Sequence, residues 1–292
     1  MSYAPTGTWN VLKKLQFIEE ATFGQTPSSP AFTIAGHNVM LRETTEVSSQ
    51  KYRESGSRDL YQMLKTGELY SFELRYQPVN TALVRYGTEL PSGAGTIEKS
   101  LSFAYTQLVN DAETWYRFLG ARTDQIEIEI TEAAVQVSQN FLCKDIPAAV
   151  TADPFTTPTY AGADSLAPYT GASSGSNPLS INSVNYDTPR FKVTVNWNLE
   201  VIKPNGETQA KFILPTNRDI SVEFDTWVKS DVLRSDAKSL TARSATYTIA
   251  PSKTVTLTDL YLTRHSKSND AGNSKHLMET LAGTAKSVAV SA

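Results

Sequence analysis

The strongest constraint on the fold is a repeated alternation of apolar and polar residues with a period of two. Its clearest example is the run TDQIEIEI at residues 123–130, where three isoleucines alternate with Gln125, Glu127 and Glu129. The same alternation recurs at residues 69–76, 101–108, 133–143, 191–199, 219–228 and 254–262. Successive side chains of a β-strand point to opposite faces of a sheet. The pattern therefore predicts a mainly β fold of antiparallel sheets, each with one buried and one solvated face.

Two short segments are expected to be helical. Residues 111–120 begin with Asp111 and end at Gly120, and residues 274–283 begin with Ser274 and end at Gly283. Asp and Ser side chains cap the first amide groups of helices, and glycine commonly follows the last turn. These segments predict one short flanking α-helix in each half of the chain.

The middle of the chain differs in composition from both sides. Residues 147–178 are rich in Pro, Gly, Ser, Thr and Ala, which is typical of a linker or surface loop. We therefore divide the chain into a first unit at residues 1–146, a linker at residues 147–178 and a second unit at residues 179–292.

The two units carry similar features in the same order. Each has two strand patterns, an Asn-Asp-Ala tripeptide, a helix pattern that ends at glycine, and a further strand pattern; the tripeptides lie at residues 110–112 and 269–271. This order predicts a duplicated fold with two tandem β-units. The alternative is chance similarity, because β-proteins often place helices between strands.

The residue types that carry catalysis or bind metals are sparse. His37, His265 and His276 have no metal-like partner two or four positions away, and Cys143, the single cysteine, is expected to be buried at a strand end. Residues 171–175 (GASSG) match a nucleophile motif but lie in the low-complexity segment, not between a strand and a helix. We predict no enzymatic activity and no cofactor.

Charge and hydropathy exclude further classes. The formal net charge of −3 provides no basic field for nonspecific nucleic-acid binding. No apolar run opens the chain or approaches the ~20 residues of a membrane-spanning helix. We expect synthesis in a host cytoplasm and no membrane span.

Several segments resemble siphophage tail tube proteins, which build the inner tube of long-tailed viruses. Residues 18–32 (IEEATFGQTPSSPAF) resemble the E-x-T-[YF]-G-x-x-P start of that family, and residues 53–78 resemble its arginine- and glycine-bearing loop with the strand that follows. Residues 102–145 and 193–233 resemble two later strand-rich segments. The C-terminal immunoglobulin-like decoration that is frequent in the family is not found.

The resemblance implies β-sandwich or barrel units whose strands join those of neighbouring subunits into a continuous barrel. Two-copy members of the family form trimeric rings with pseudo-sixfold symmetry, and single-copy members form hexamers. The repeat favours the trimer, with the hexamer as the alternative. The implied function is a structural virion protein of the tail, whose rings stack into a conduit for viral DNA. The implied partners are tape-measure and tail terminator proteins.

The proposed role suggests which residues face the DNA. Duplex DNA carries one negative charge per ~1.7 Å of axis, so basic walls would retain it. Acidic side chains on solvated strand faces are therefore the candidates for the lumen, namely Glu73, Glu127, Glu129, Glu223 and Asp225. The alternative is an ordinary solvated sheet face.

Two polar segments are candidates for contacts between rings. Residues 42–59 are too charged for a core and are interpreted as a contact loop that orders on assembly. Its candidate residues are Arg42, Lys51, Tyr52, Arg53, Glu54, Arg58 and Asp59. A mobile loop is the alternative. The N-terminal arm, residues 1–10, with Tyr3 and Trp9, is expected to dock on a neighbouring subunit.

Two other functions compete with the tube. A tail-tip or carbohydrate-binding β-sandwich would place its aromatic residues on exposed loops, whereas most aromatic residues here fall in predicted strands or in the predicted helix. A β-sandwich hydrolase is disfavoured because no credible catalytic constellation is present. Spacing by two, as between Glu127 and Glu129, is what a solvated strand face produces anyway.

Overall fold

A computed structural model describes residues 12–53, 60–89, 99–109, 112–131, 134–160, 167–169, 179–227, 231–268 and 278–291. The strands of the first half are β1 (Leu12–Glu19), β2 (Thr33–Ile34), β3 (His37–Arg53), β4 (Leu60–Gln77), β5 (Leu101–Val109), β6 (Ala112–Thr131) and β7 (Val135–Cys143), with α1 (Ala82–Thr88) between β4 and β5. The strands of the second half are β8 (Leu179–Ile181), β9 (Val184–Tyr186), β10 (Arg190–Asn196), β11 (Leu199–Ile202), β12 (Phe212–Pro215), β13 (Asp219–Trp227), β14 (Arg243–Ala250), β15 (Lys253–Ser268) and β16 (Met278–Val290), with α2 (Val232–Ser239) between β13 and β14. The predicted mainly β, antiparallel architecture is confirmed.

Strand pairing follows the same order in both halves. In the first half the strands neighbour one another as β3-β4-β7-β6-β5-β1-β2. In the second half the order is β10-β13-β16-β15-β14-β8-β9. The short β11–β12 hairpin forms a separate two-stranded sheet.

Strand β6 connects the two halves into one 14-stranded sheet. Its N-terminal part pairs with β5, and its C-terminal part pairs with β7 on one edge and with β10 on the other. Gly120, with a φ of 64°, separates the two parts. A Cβ at this position would lie 2.7 Å from the Cβ of Lys144, so glycine is required by both conformation and space.

The core lies on the apolar side of this sheet. Ile126, Ile128 and Ile130 are at most 1% exposed, and they lie opposite residues of β10 that are equally buried. In the first half the Phe72 ring stacks on Phe118 with ring centroids 4.2 Å apart. Burial of each such side chain contributes about 1.5–3 kcal/mol to folding. Cys143 is buried at the end of β7, as predicted.

Both predicted helices are wrong in the part of the chain that the structure describes. Residues 112–120 belong to β6, and residues 278–283 belong to β16. Trp115 and Phe118 lie three positions apart on β6 and so point to opposite faces, and both are buried because both faces are covered. Phe118 stacks on Phe72 in the core, whereas Trp115 packs on Phe155 and Tyr160 of the segment after β7. The helices that do form, α1 and α2, were not predicted.

Two predicted loops also pack more regularly than expected. Residues 42–53 are not a loop, since they lie in β3 and pair with β4 in a long hairpin. The predicted linker packs on the first half along residues 147–160. There, Val150 exchanges backbone hydrogen bonds with Trp115 at 2.7 and 3.1 Å, and the Tyr160 ring stacks on Phe32 with centroids 5.6 Å apart.

The buried carboxylate of Glu20, directly after β1, links this part of the chain to Gly120 in β6. Glu20 is 5% exposed, and its oxygens accept hydrogen bonds from the hydroxyls of Ser100 and Ser102, both at 2.5 Å. The backbone amides of Gly24 and Gly120 donate to the same carboxylate at 2.8 and 2.9 Å. A buried carboxylate needs such a complete set of donors. Glu20 thereby holds three separate segments together.

We predict that Glu20→Ala lowers the free energy of unfolding by about 3 kcal/mol, because four donors lose their acceptor. Denaturant-induced unfolding of the unassembled protein measures the change. Glu207→Ala is the matched control, since Glu207 is exposed in a turn, and its effect should stay within about 0.5 kcal/mol. Equal effects of the two substitutions would contradict the structural role of Glu20.

Candidate functional site: the polar sheet face and two free strand edges

All five acidic candidates lie on one face of the 14-stranded sheet. Glu129, Lys192 and Glu223 are direct neighbours across β6, β10 and β13. Residues that lie opposite each other on adjacent strands point to the same face. The same register places Glu127, Asp225 and, through Asn140 and Gln125, Glu73 on this face. We call it the polar face.

Basic side chains neutralise part of the polar face. Lys192 Nζ lies 2.8 Å from Glu127 Oε2, and Arg190 Nε lies 2.9 Å from Glu129 Oε1. On β4, Arg75 Nε lies 2.7 Å from Glu73 Oε1. The sequence indicated an acidic face, but cross-strand pairing makes its charge mixed.

These ion pairs change the acidity of their members. The hydrogen bond from Arg75 holds the pKa of Glu73 below its ordinary value of 4.5, and a hydrogen bond from Ser138 and the charge of Arg42 act in the same direction. The hydrogen bond to Glu129 raises the pKa of Arg190. Glu73 therefore stays ionised below the pH at which an isolated carboxylate would gain a proton.

The ring-contact candidates fall into different environments. Arg42 lies opposite Glu73 on the polar face, with the lumen candidates. Lys51 and Tyr52 lie far along the β3–β4 hairpin and are exposed. Arg53 ends β3, whereas Glu54, Arg58 and Asp59 lie outside the described residues, as do Tyr3 and Trp9 of the N-terminal arm.

The same hairpin exposes apolar residues that the sequence analysis missed. Val47 is 55% exposed, Met63 is 51% exposed and Leu64 is 43% exposed. Val47 was missed because residues 42–59 were interpreted as a polar loop, whereas Met63 and Leu64 lie between that loop and the strand predicted at residues 69–76. Exposed apolar side chains on a projecting hairpin are a typical feature of a contact surface.

The long strands β3 and β15 each retain an unpaired edge in the described part of the chain. β3 pairs only with β4, so its other edge is free. β15 pairs with β16 along its length, but its pairing with β14 ends at Leu260. The edge of β15 from Tyr261 to the end of the strand is therefore open. Unpaired strand edges are templates for pairing with another chain.

The described residues form no cluster that fits a metal centre. No group of three His, Cys, Asp or Glu side chains there could hold a metal ion. His265 forms a hydrogen bond to the buried carboxylate of Glu279, with 2.7 Å between Nε2 and Oε2. Residues 171–175 and His276 lie outside the described ranges. None of the helices described is long and apolar enough to span a membrane.

The sheet and its free edges fit a protein that functions by assembly. A family model described as phage tail tube protein matches residues 12–285 and so spans both halves. The chain belongs to the phage tail tube protein family. It is thus a structural component of a virion tail, in a family whose members are not enzymes and assemble into a tube. A comparison with curated proteins found no match.

We predict that Arg75→Met raises the pKa of the Glu73 carboxyl towards its ordinary value of 4.5, because the strongest hydrogen bond to the ionised form is lost. Carboxyl-detected NMR titration measures it. The contribution of this pair to stability is present above the pKa of Glu73 in the unfolded chain and is lost as the pH falls through the lower pKa of the folded state. An unchanged pKa in the variant would contradict this assignment.

Proposed function

We propose that three copies of this chain close into a ring with pseudo-sixfold symmetry, and that the rings stack into the tail tube through which viral DNA passes. Each copy supplies two related units, residues 1–146 and 179–292, joined by residues 147–178. The observation that carries the proposal is the β6–β10 ladder, which joins the two halves of one chain edge to edge.

Three features support the relatedness of the two units. Their seven-strand orders correspond strand by strand. Each has its helix directly after the second strand of that order. Each also has a register shift at the equivalent place in its longest central strand, between Thr123 and Gln125 in β6 and between Leu262 and Arg264 in β15. The Asn-Asp-Ala tripeptides do not correspond in this scheme, because one lies between β5 and β6 and the other between β15 and β16.

The free edges support closure into a ring. β3 is the counterpart of β10, and β15 is the counterpart of β6. The first unit therefore has a free edge on β3 that is equivalent to the edge of β10 in the ladder. The second unit has a free edge on β15 that is equivalent to the edge of β6, so the two edges can pair between copies. Repetition of one edge-to-edge contact between identical copies produces a ring when the rotation closes. The alternative is a ring of six copies.

The polar face is our candidate for the lumen wall. Its opposite face is buried in the core, so the polar face is the side that both units can present to solvent together. The ion pairs at Glu127 and Glu129 leave no unbroken basic surface for DNA to bind. A wall of mixed charge allows passage of DNA without specific binding.

The projecting β3–β4 hairpin is our candidate for contact between stacked rings. Lys51, Tyr52 and the exposed Val47 and Met63 support this role. We also propose that the N-terminal arm docks on a neighbouring copy and that the tube contacts tape-measure and terminator proteins. Synthesis takes place in the host cytoplasm before assembly.

We predict that the purified protein forms hollow tubes, spontaneously or after a trigger, with three chains per ring. Negative-stain electron microscopy detects the tubes, and native mass spectrometry of released rings counts the chains. Rings of six chains would favour the alternative stoichiometry. A persistently monomeric protein that binds a glycan would contradict the proposal.

Added positive charge on the polar face should slow DNA. We predict that Ser221→Lys combined with Gln136→Lys leaves tube assembly intact but reduces infectivity several-fold, because lysines in the lumen attract phosphates. Both positions are exposed, and neither substitution removes a member of the ion pairs described above. Complementation of a virus that lacks its own tube gene measures infectivity.

The control for this double variant is Glu207→Lys, which produces the same change in net charge at an exposed turn away from the sheet. It should retain wild-type infectivity. Wild-type infectivity in both variants would show that the polar face does not line the DNA path.

A further inference from the structure

The ladder inside the chain and the free edges differ in chemistry on their buried side. At the β6–β10 ladder this side is apolar, with Ile126 opposite Val195 and Ile128 opposite Val193. All four side chains are at most 1% exposed. The free edges of β15 and β3 carry charged residues and a histidine at the positions equivalent to these apolar residues. The equivalent positions follow from the strand pairings of the two units, which align β15 with β6 and β3 with β10.

On β15, His265 and Lys267 replace the isoleucines. His265 lies opposite Leu281 and Lys267 lies opposite Glu279. In the first unit, Ile126 lies opposite Gln139 and Ile128 lies opposite Val137 on the neighbouring strand β7. Counted from the register shift in each strand, His265 is equivalent to Ile126, and Lys267 is equivalent to Ile128. Arg264 then occupies the position of Gln125, on the polar face.

On β3, acidic residues replace apolar or neutral ones. Arg42 lies opposite Glu73 as Lys192 lies opposite Glu223, which aligns β3 with β10. By this alignment Glu43 occupies the position of Val193, and Glu46 occupies the position of Asn196.

Four charged side chains on these edges are unpaired. Glu43, Glu46, Arg264 and Lys267 are all exposed, and none has an ion-pair partner within the described part of the chain. Glu279 is the cross-strand neighbour of Lys267, but its carboxylate already binds His265. One edge therefore carries unpaired positive charge and the other carries unpaired negative charge.

We propose that the free edge of β15 pairs with the free edge of β3 of a second copy, in the register of the β6–β10 ladder, and that two ion pairs select this contact. In that register Lys267 meets Glu43 on the core side, and Arg264 meets Glu46 on the polar face. Ser266 lies opposite Thr44 between them. The inference rests on the proposed ring. It specifies the contact between neighbouring copies, β15 of one with β3 of the next, which we call the seam.

Charge explains why this contact forms between the correct edges. Two β3 edges would bring Glu43 and Glu46 near each other, and two β15 edges would bring Arg264 and Lys267 together. Like charges directly opposite each other on paired strands are unfavourable. The edges therefore reject a symmetric dimer and accept a head-to-tail contact, which can close a ring. Charged edges also protect the unassembled chain from aggregation, which an isoleucine edge would not.

Charge reversal tests the seam. Glu43→Lys and Lys267→Glu should each reduce the yield of rings and tubes at least about tenfold, because each places like charges opposite each other. The double variant Glu43→Lys/Lys267→Glu should restore assembly, since the pair is then reversed. Sedimentation and negative-stain microscopy measure the yield. Wild-type assembly should weaken as salt rises, because salt screens the attraction between the exposed charges of the two separate edges.

A cross-link tests the register independently. The variant Thr44→Cys/Ser266→Cys should form covalently closed rings on oxidation, seen as chains linked head to tail on a non-reducing gel. Directly opposite residues lie within the distance that a disulfide spans. Thr44→Cys/Ser268→Cys, shifted by two residues along β15, is the matched control and should not cross-link, and it leaves both proposed ion pairs in place. The native Cys143 is buried and does not interfere.

The outcomes separate the seam from the tube. Compensation by the double charge reversal, together with the cross-link, would establish the seam. If the wild-type protein forms tubes, both single-reversal variants also form them, and the cysteine variant gives no cross-link, the seam is overturned and the tube assignment stands. A wild-type protein that forms neither rings nor tubes would overturn both.

Discussion

Seven residue pairs between β6 and β10, from Gln125 opposite Asn196 to Thr131 opposite Arg190, join the two halves of the chain into one sheet. The ladder orders both faces at once. On one side it brings isoleucines against valines and so extends a single core across both halves. On the other side it brings Lys192 and Arg190 to Glu127 and Glu129. The continuous core and the polar face both depend on this ladder. Because β6 and β10 pair within the chain, the equivalent edges of β15 and β3 are the ones left free.

Strand β6 serves both halves because its C-terminal part pairs with β7 on one edge and with β10 on the other. The left-handed conformation of Gly120 divides it, and Glu20 accepts the amide hydrogen of that glycine. The conformation at Gly120 is therefore supported by a contact with a residue far away in sequence. The free edges of β3 and β15 behave differently, because their backbone groups on that edge have no partner strand, and Glu43, Glu46, Arg264 and Lys267 have no ion-pair partner, within the described residues. The proposed pairing of these edges between copies would supply those partners, in keeping with a family whose members assemble into a tube.

Much of the β architecture could be predicted from the sequence, because alternation is a local property. The run at residues 123–130 indicated both its buried isoleucines and its solvated glutamates. The same reasoning failed at Trp115 and Phe118, whose spacing of three imitates a helix. That spacing arises because both faces of β6 are covered there, one by the core at Phe72 and the other by Phe155 and Tyr160 of a distant segment. The long β3–β4 hairpin was missed for a related reason, since its distal part is solvated on both faces and shows no alternation.

By itself, the sequence determined which side of each strand is apolar and which is polar, because side-chain direction alternates along a strand whatever its neighbours are. It therefore identified Glu73, Glu127, Glu129, Glu223 and Asp225 as polar-face residues one strand at a time. Only the tertiary structure decided that these residues share one face, that Lys192 and Arg190 accompany them, and that β3 and β15 retain free edges. Those facts depend on which strands pair and in what register, and pairing is a contact between distant segments that no local pattern encodes.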